Sequence, residues 1–358
     1  MYILNFFIDY ILVFLVLISV LVFVHEYGHY LFAKLFKVKV ESFSIGFGKE
    51  LWGWTDKSGT RWKIAPFPLG GYVKMKGEML DLTGNSNEVA PDSFESKKLW
   101  QKFLIVFAGP LFNIIFPAFI FFFISYFVGY ANLDPTVGSV LKNAPAHGIL
   151  QPKDIIKSIN GKNITTFQEL QQEVMLQPKA VVRLEILRQG KKLNVKITTG
   201  VQTVNKIKTG ILGVTADNST YTHYRYSVKA SVLYVYRVYK QVGSLIINSF
   251  YRLFSANMSV DELGGPVKIA QISGESFHNG FTSWLFFMAI LSLNLAVINL
   301  LPIPALDGGY LLIYIFQAIT RKKLQGNVYN FLLKISFSLL IALMIFMIFN
   351  DVTSILFK

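Results

Sequence analysis

The sequence predicts a polytopic α-helical membrane protein with four transmembrane helices, a membrane-associated β-hairpin region and one small α+β domain. Three observations predict it. Hydrophobic residues make up 53% of the 358 residues, and 32 of them are Phe. Charged residues fall to 16%, against about 25% in an ordinary soluble chain, which excludes disorder and argues against a soluble enzyme. The apolar residues also gather in stretches of the ~20 residues that a hydrocarbon core requires.

Lys and Arg number 35 against 21 Asp and Glu, a net charge of +14. No nucleic-acid motif accompanies this excess. Basic loops and anionic headgroups explain it better, so the expected partner is membrane lipid and not nucleic acid. The absence of cysteine excludes disulfides, thiolate nucleophiles and Cys-ligated metals. The N-terminus is apolar without a basic n-region, and reads as a retained helix, not a signal peptide.

Residues 1–37 hold the first span, densest in Leu, Val, Ile and Phe from Ile11 to Val24. Residues 38–101 read as short strands and turns: an alternating run to Phe47, a turn at Asp56-Lys57-Ser58-Gly59, then strands from Arg61 to Pro66 and from Tyr72 to Met75. Gly70-Gly71 suggests backbone dihedrals that other residues avoid. The second span covers 102–130. Residues 134–200 form the α+β domain, with a tight turn at Asn160-Gly161, a helix from Phe167 to Met175 and two closing strands. Residues 201–280 read as an extramembrane linker bearing an amphipathic helix from Tyr234 to Phe254, expected on the membrane surface. The third span is 281–301 and the fourth is 328–350.

The first span ends in Val24-His25-Glu26-Tyr27-Gly28-His29. Positions i and i+4 share one helix face, so both imidazoles reach a single metal ion while Glu26 points at a water beside it. Ionisable residues inside an apolar span are costly and usually functional. A catalytic zinc takes three protein ligands and keeps one position open. The remaining histidines, His147, His223 and His278, are expected on the opposite side of the membrane. Asp307 stands out instead, in Asn299-Leu300-Leu301-Pro302-Ile303-Pro304-Ala305-Leu306-Asp307-Gly308-Gly309. There two prolines break the helix and a glycine pair lets the backbone turn a carboxylate inward. Taken alone, Asp307 could equally be a cap at a span end.

Together these motifs resemble the site-2 protease family of intramembrane zinc proteases, most nearly its bacterial RseP-type subgroup. Ala108-Gly109-Pro110-Leu111-Phe112-Asn113 in the second span and Pro68-Leu69-Gly70-Gly71-Tyr72-Val73-Lys74-Met75 match further family segments, the latter one that re-enters the membrane. The phrase from Asn143 to Ile164 resembles a permuted PDZ domain, one here where the best-known member has two. Its expected peptide groove follows Val137-Gly138-Ser139-Val140. The resemblance implies one Zn2+ per chain on His25, His29 and Asp307, with Glu26 as general base. It also implies substrate contacts by Asn294, Asn299, Pro302, Pro304, Gly70, Gly71 and Tyr72. Both asparagines have a plainer reading, a bond to a neighbouring helix.

The implied activity is hydrolysis of peptide bonds within transmembrane segments, as in regulated intramembrane proteolysis of anti-sigma factors or remnant signal peptides. The implied partners are transmembrane substrates and a peptide or protein ligand at the PDZ groove. Twelve basic residues between Lys34 and Lys102, and the Arg321-Lys322-Lys323 cluster, put both loops on the cytoplasmic side. The expected location is a bacterial inner membrane, with the active site toward the cytoplasm and the PDZ domain periplasmic or external. Two alternatives stand beside this reading: a membrane-anchored zinc protease acting on soluble or misfolded proteins, and an inactive PDZ scaffold.

Overall fold

A computed structural model describes residues 7–78, 90–204, 207–255, 264–322 and 326–356; Lys323 of the basic cluster lies outside the described residues. Among the described residues, four helices are long and apolar enough to cross a membrane: Asp9–Leu35, Leu99–Val128, Phe281–Asn299 and Phe331–Thr353. The protein is a polytopic helical membrane protein with a β-sheet region and an α+β unit, as its composition requires. The chain divides into two compact units, 1–123 with 231–358, and 124–230.

In the first unit, a π-helical turn at Phe7–Leu12 leads into α1 (Val13–Leu35), and α2 (Leu99–Phe123) packs across it. A Cβ on Gly28 would lie 2.3 Å from the Ala108 carbonyl oxygen. The two backbones therefore touch, the usual reason for small residues where membrane helices cross. Pro117 inside α2 has no N–H for the carbonyl four residues back, that of Asn113. The Ser292 hydroxyl donates to that carbonyl at 2.9 Å. Ser292 belongs to α6 (Phe281–Asn299), so the gap left by the proline becomes the hydrogen bond between the second and third spans.

Between α1 and α2 lies a four-stranded sheet of β1 (Val40–Phe47), β2 (Trp52–Thr55), β3 (Arg61–Ile64) and β4 (Phe67–Met75), in the order β2-β3-β1-β4. β1 runs parallel to β3 and antiparallel to β4. The expected turn at Asp56 is present, and Asp56 accepts from the Ser58 and Thr60 amides at 2.8 and 3.0 Å and from Trp62 Nε1 at 2.9 Å. Burial raises its pKa, but these donors outweigh it and hold the carboxyl below the usual carboxylate range. The Tyr30 hydroxyl of α1 also donates to Asp56, at 3.3 Å.

One expectation is corrected here. Gly70 and Gly71 are not in a turn of unusual dihedrals but within β4, and neither has a positive φ. Space is what demands glycine: a Cβ on Gly70 would meet the Phe47 ring at 2.4 Å, and one on Gly71 would meet the Ser44 oxygen at 2.6 Å and Val22 at 2.7 Å.

After α6, a segment containing Pro302 and Pro304 leads to α7 (Asp307–Thr320). The Gly308-Gly309 pair again has no positive φ. It lets α7 press onto the preceding chain, since Cβ atoms there would lie 2.3 Å from the Leu301 oxygen and 2.4 Å from the Ile303 oxygen. The amphipathic helix expected from Tyr234 is longer, α4 (Val228–Phe254), and packs its Tyr239 ring against Phe121 of α2. The sequence reading missed α5 (Pro266–His278). Buried Asp351 on α8 (Gly326–Leu356) accepts from the Gly265, Val267 and Lys268 amides at 2.9–3.0 Å, capping α5.

The second unit holds β5 (Tyr130–Leu133), β6 (Val137–Val140), β7 (Ile155–Ile159), β8 (Lys162–Asn163), α3 (Phe167–Met175), β9 (Val181–Arg188) and β10 (Lys191–Thr198). β7 to β10 form a sheet ordered β10-β9-β7-β8 over a core that includes Ile156, Val182, Leu184 and Ile186. Asn160 and Gly161 both have positive φ, as the hairpin turn between β7 and β8 requires. Thr166 and Glu169 form a capping box on α3.

The unit does not stop at residue 200. β11 (Gly200–Val204), β12 (Ile207–Ile211), β13 (Val214–Ala216) and β14 (Tyr221–Tyr224) follow, with β13 pairing β6 and β14 pairing β5. The first part of the expected linker is therefore folded strand. One edge of β6 is occupied by β13, and a cavity of about 140 Å³ lies between α3 and residues 209–214.

Candidate active site

α1 presents His25 and His29 one turn apart, on the face that meets α2. Both rings are buried, edge to face, with centroids 4.8 Å apart. Asp307 reaches them from the first turn of α7. Its Oδ2 lies 3.1 Å from His25 Nε2 and 3.6 Å from His29 Nε2, and the two Nε2 atoms are 3.2 Å apart. The structure thus brings together the three residues that the sequence singled out.

These atoms suit a shared cation better than one another. Asp307 Oδ2 is buried yet makes no hydrogen bond of acceptable geometry. Zinc bonds of about 2.0–2.1 Å in a tetrahedron place neighbouring ligand atoms about 3.3–3.4 Å apart, close to the observed triangle. His29 Nδ1–H donates to the Ile105 carbonyl at 2.9 Å, and a carbonyl can only accept. The His29 Nε2 lone pair is therefore free to face Asp307 and His25. Among the described residues, His25, His29 and Asp307 are the only cluster of three His, Asp or Glu side chains able to hold a metal ion.

Gly109 completes the cradle. A Cβ there would lie 2.3 Å from His29 Nε2 and 2.8 Å from His25 Cε1, so any side chain would fill the ligand space. The sequence reading quoted this glycine only as part of a motif. A small residue opposite a His pair, on the next apolar helix, is the signal that could have found it.

A cavity of about 420 Å³ opens on this cluster, lined by Glu26, Gly70, Gly71, Tyr72, Glu78 and Asn299 among others. Glu26 adjoins β4, where a Cβ on Gly71 would lie 3.2 Å from its Cγ. Among the described residues β4 is the last strand of its sheet, so its outer edge faces no other described strand of that sheet. Asn299 Nδ2 is 3.4 Å from both ring nitrogens of His25. Asn294, Pro302 and Pro304 do not line the cavity; five residues before Asn299 on a helix, Asn294 faces elsewhere. Glu78 went unnoticed in the sequence. Its carboxylate accepts from the Met75 amide at 3.3 Å, and burial pushes its pKa up to about 6.

The profile of peptidase family M50 matches residues 13–343. Relatives named as candidate zinc metalloproteases occur in Rickettsia conorii, 37% identical over 95% of this chain and 97% of the relative, and in Agrobacterium fabrum, 34% identical over 97% and 96%. A third, from Campylobacter jejuni, is 35% identical over 95% and 92%. The PDZ domain of an SdrC-like protein from Listeria innocua is similar to 26% of this chain and 99% of its own, at 22% identity and a TM-score of 0.21. With the family match and these relatives, apolar spans around a metal-competent cluster make this a membrane zinc metallopeptidase. The chain belongs to peptidase family M50, the site-2 protease family.

Proposed function

We propose that this enzyme hydrolyses peptide bonds within transmembrane segments of membrane proteins, at a bacterial inner membrane. The observation that carries the reading is the position of the His25–His29–Asp307 cluster: it is buried among span-forming helices, in a cavity walled on one side by the edge of β4. A peptide bond in a membrane helix is already hydrogen-bonded and must be unwound before it can be cut. Once unwound, its backbone groups can pair with the edge of β4 around Gly70, Gly71 and Tyr72, and the Asn299 amide can bind a freed carbonyl. The reading gives substrate contact to Asn299 and not to Asn294.

His25, His29 and Asp307 would hold one zinc ion. When bound, zinc lowers the pKa of water and polarises a carbonyl. Glu26 takes the proton from the attacking water and passes it to the leaving amide nitrogen. Gly109 keeps side-chain bulk out of the ligand space. In the PDZ-like unit, the cavity between α3 and residues 209–214 would take a peptide segment of a partner.

Cleavage of a single-span reporter by the purified enzyme in lipid nanodiscs tests the reading. The expected products, read by mass spectrometry, end within the apolar stretch. Cuts confined to a soluble domain or a flanking loop would support the membrane-anchored protease of soluble proteins instead. Orientation is tested separately. An activity reporter fused after Lys322 is expected to behave as cytoplasmic and one at Gly190 as external, and the reverse pattern would overturn the topology.

A further inference from the structure

We propose that Asn113 is a positioning residue for the metal site: its amide oxygen accepts from His25 Nδ1–H and fixes that ring with Nε2 toward the ion. The inference rests on the reading of His25, His29 and Asp307 as metal ligands. Asn113 is 0% exposed, its Nδ2 lies 3.2 Å from His25 Nδ1, and its Oδ1 is buried without a partner. A buried amide oxygen with no donor is costly. The two ends of an amide have the same shape, so a half-turn about the last side-chain bond exchanges them and moves little else.

The histidine tautomer decides which end faces the ring. A nitrogen that ligates a metal cannot carry a proton, so the other ring nitrogen carries it. With Nε2 committed to the ion, Nδ1 is a donor. An amide NH2 facing it would set donor against donor, whereas Oδ1 makes a hydrogen bond and gains the partner it lacks. His29 already shows this arrangement, with its Nδ1–H on the Ile105 carbonyl at 2.9 Å. Each imidazole would then have a buried acceptor behind it, the usual means of fixing ring orientation and basicity. Asn299 cannot fill this role for His25. Its Nδ2 is 3.4 Å from both ring nitrogens and so lies along neither in-plane N–H direction.

The backbone at Asn113 is itself anchored. Pro117 leaves the Asn113 carbonyl without its helical donor, and Ser292 of the third span supplies one at 2.9 Å. The second span therefore carries no ligand of its own but orients one through Asn113.

The test is zinc affinity, measured by chelator competition on the full-length protein in detergent, for wild type, Asn113→Leu and Asn113→Asp. Loss of an outer partner of a metal-binding histidine typically costs about 10–100-fold in metal affinity, and that is the loss expected for Asn113→Leu with helical content unchanged by circular dichroism. Asn113→Asp replaces the amide with a pure acceptor and is expected to bind zinc at least as tightly as wild type. Wild-type affinity in the Leu variant would overturn the proposal. Equal weakening in both variants would also overturn it, by showing that packing or the NH2 end matters. If the Leu variant does not fold, the Asp variant decides alone: retained affinity supports the acceptor role and weakened affinity refutes it. A wild type that binds no zinc would fail the site reading itself, a result visible without any variant.

Discussion

Glu26→Gln is expected to hold zinc as wild type does while its turnover collapses. The substitution keeps the side chain's length and shape and leaves His25, His29 and Asp307 in place. It removes the carboxylate placed one residue from His25, in the cavity that opens on the cluster. General acid–base catalysis is typically worth about 10²–10⁴-fold, and a glutamine amide can neither take a proton from water nor return one to the leaving nitrogen. The substrate contacts proposed at β4 and Asn299 do not depend on that charge, so the variant is expected to bind substrate and retain it. Two measurements on one preparation decide the matter: zinc content, and cleavage of a transmembrane reporter. Zinc retained with activity near wild type would remove Glu26 from the mechanism, and co-purifying membrane fragments would identify what the enzyme cuts.

Asp307→Ala is expected to fail earlier, at metal binding. Structural zinc sites hold the ion with about 10–16 kcal/mol, shared over four ligands, so one ligand is worth on the order of 3 kcal/mol, or about 10²-fold in affinity. The carboxylate oxygen removed is the one 3.1 Å from His25 Nε2 and 3.6 Å from His29 Nε2, and no other His, Asp or Glu among the described residues joins that cluster. Zinc affinity and proteolysis are therefore expected to fall together, and excess zinc is expected to restore only part of the activity. An Asp307→Ala protein that titrates with zinc as wild type does would exclude Asp307 from the ligand set, whatever its activity.

What the sequence determined by itself is what repeats locally along the chain. Four apolar runs were legible because the bilayer fixes their length. The pairing of His25 with His29 was legible because the helical repeat puts i and i+4 on one face. Asp307 was legible only because two prolines and a glycine pair mark a broken span end. Contacts between distant segments had no such trace.

Only the tertiary structure brought Gly109 against both imidazoles, Asn113 against His25 and Ser292 onto the carbonyl that Pro117 leaves free. It also changed the reason for glycine at Gly70 and Gly71, from dihedral freedom to the room taken by Phe47, Val22 and the Ser44 carbonyl. The α+β unit was extended past residue 200 for the same reason: β13 has no distinctive pattern of its own and acquires its place by pairing with β6, some 75 residues earlier. Periodicity reports which face of an element is buried, whereas the neighbour on that face is fixed by packing between segments far apart in sequence, and in this protein those neighbours orient the candidate ligands.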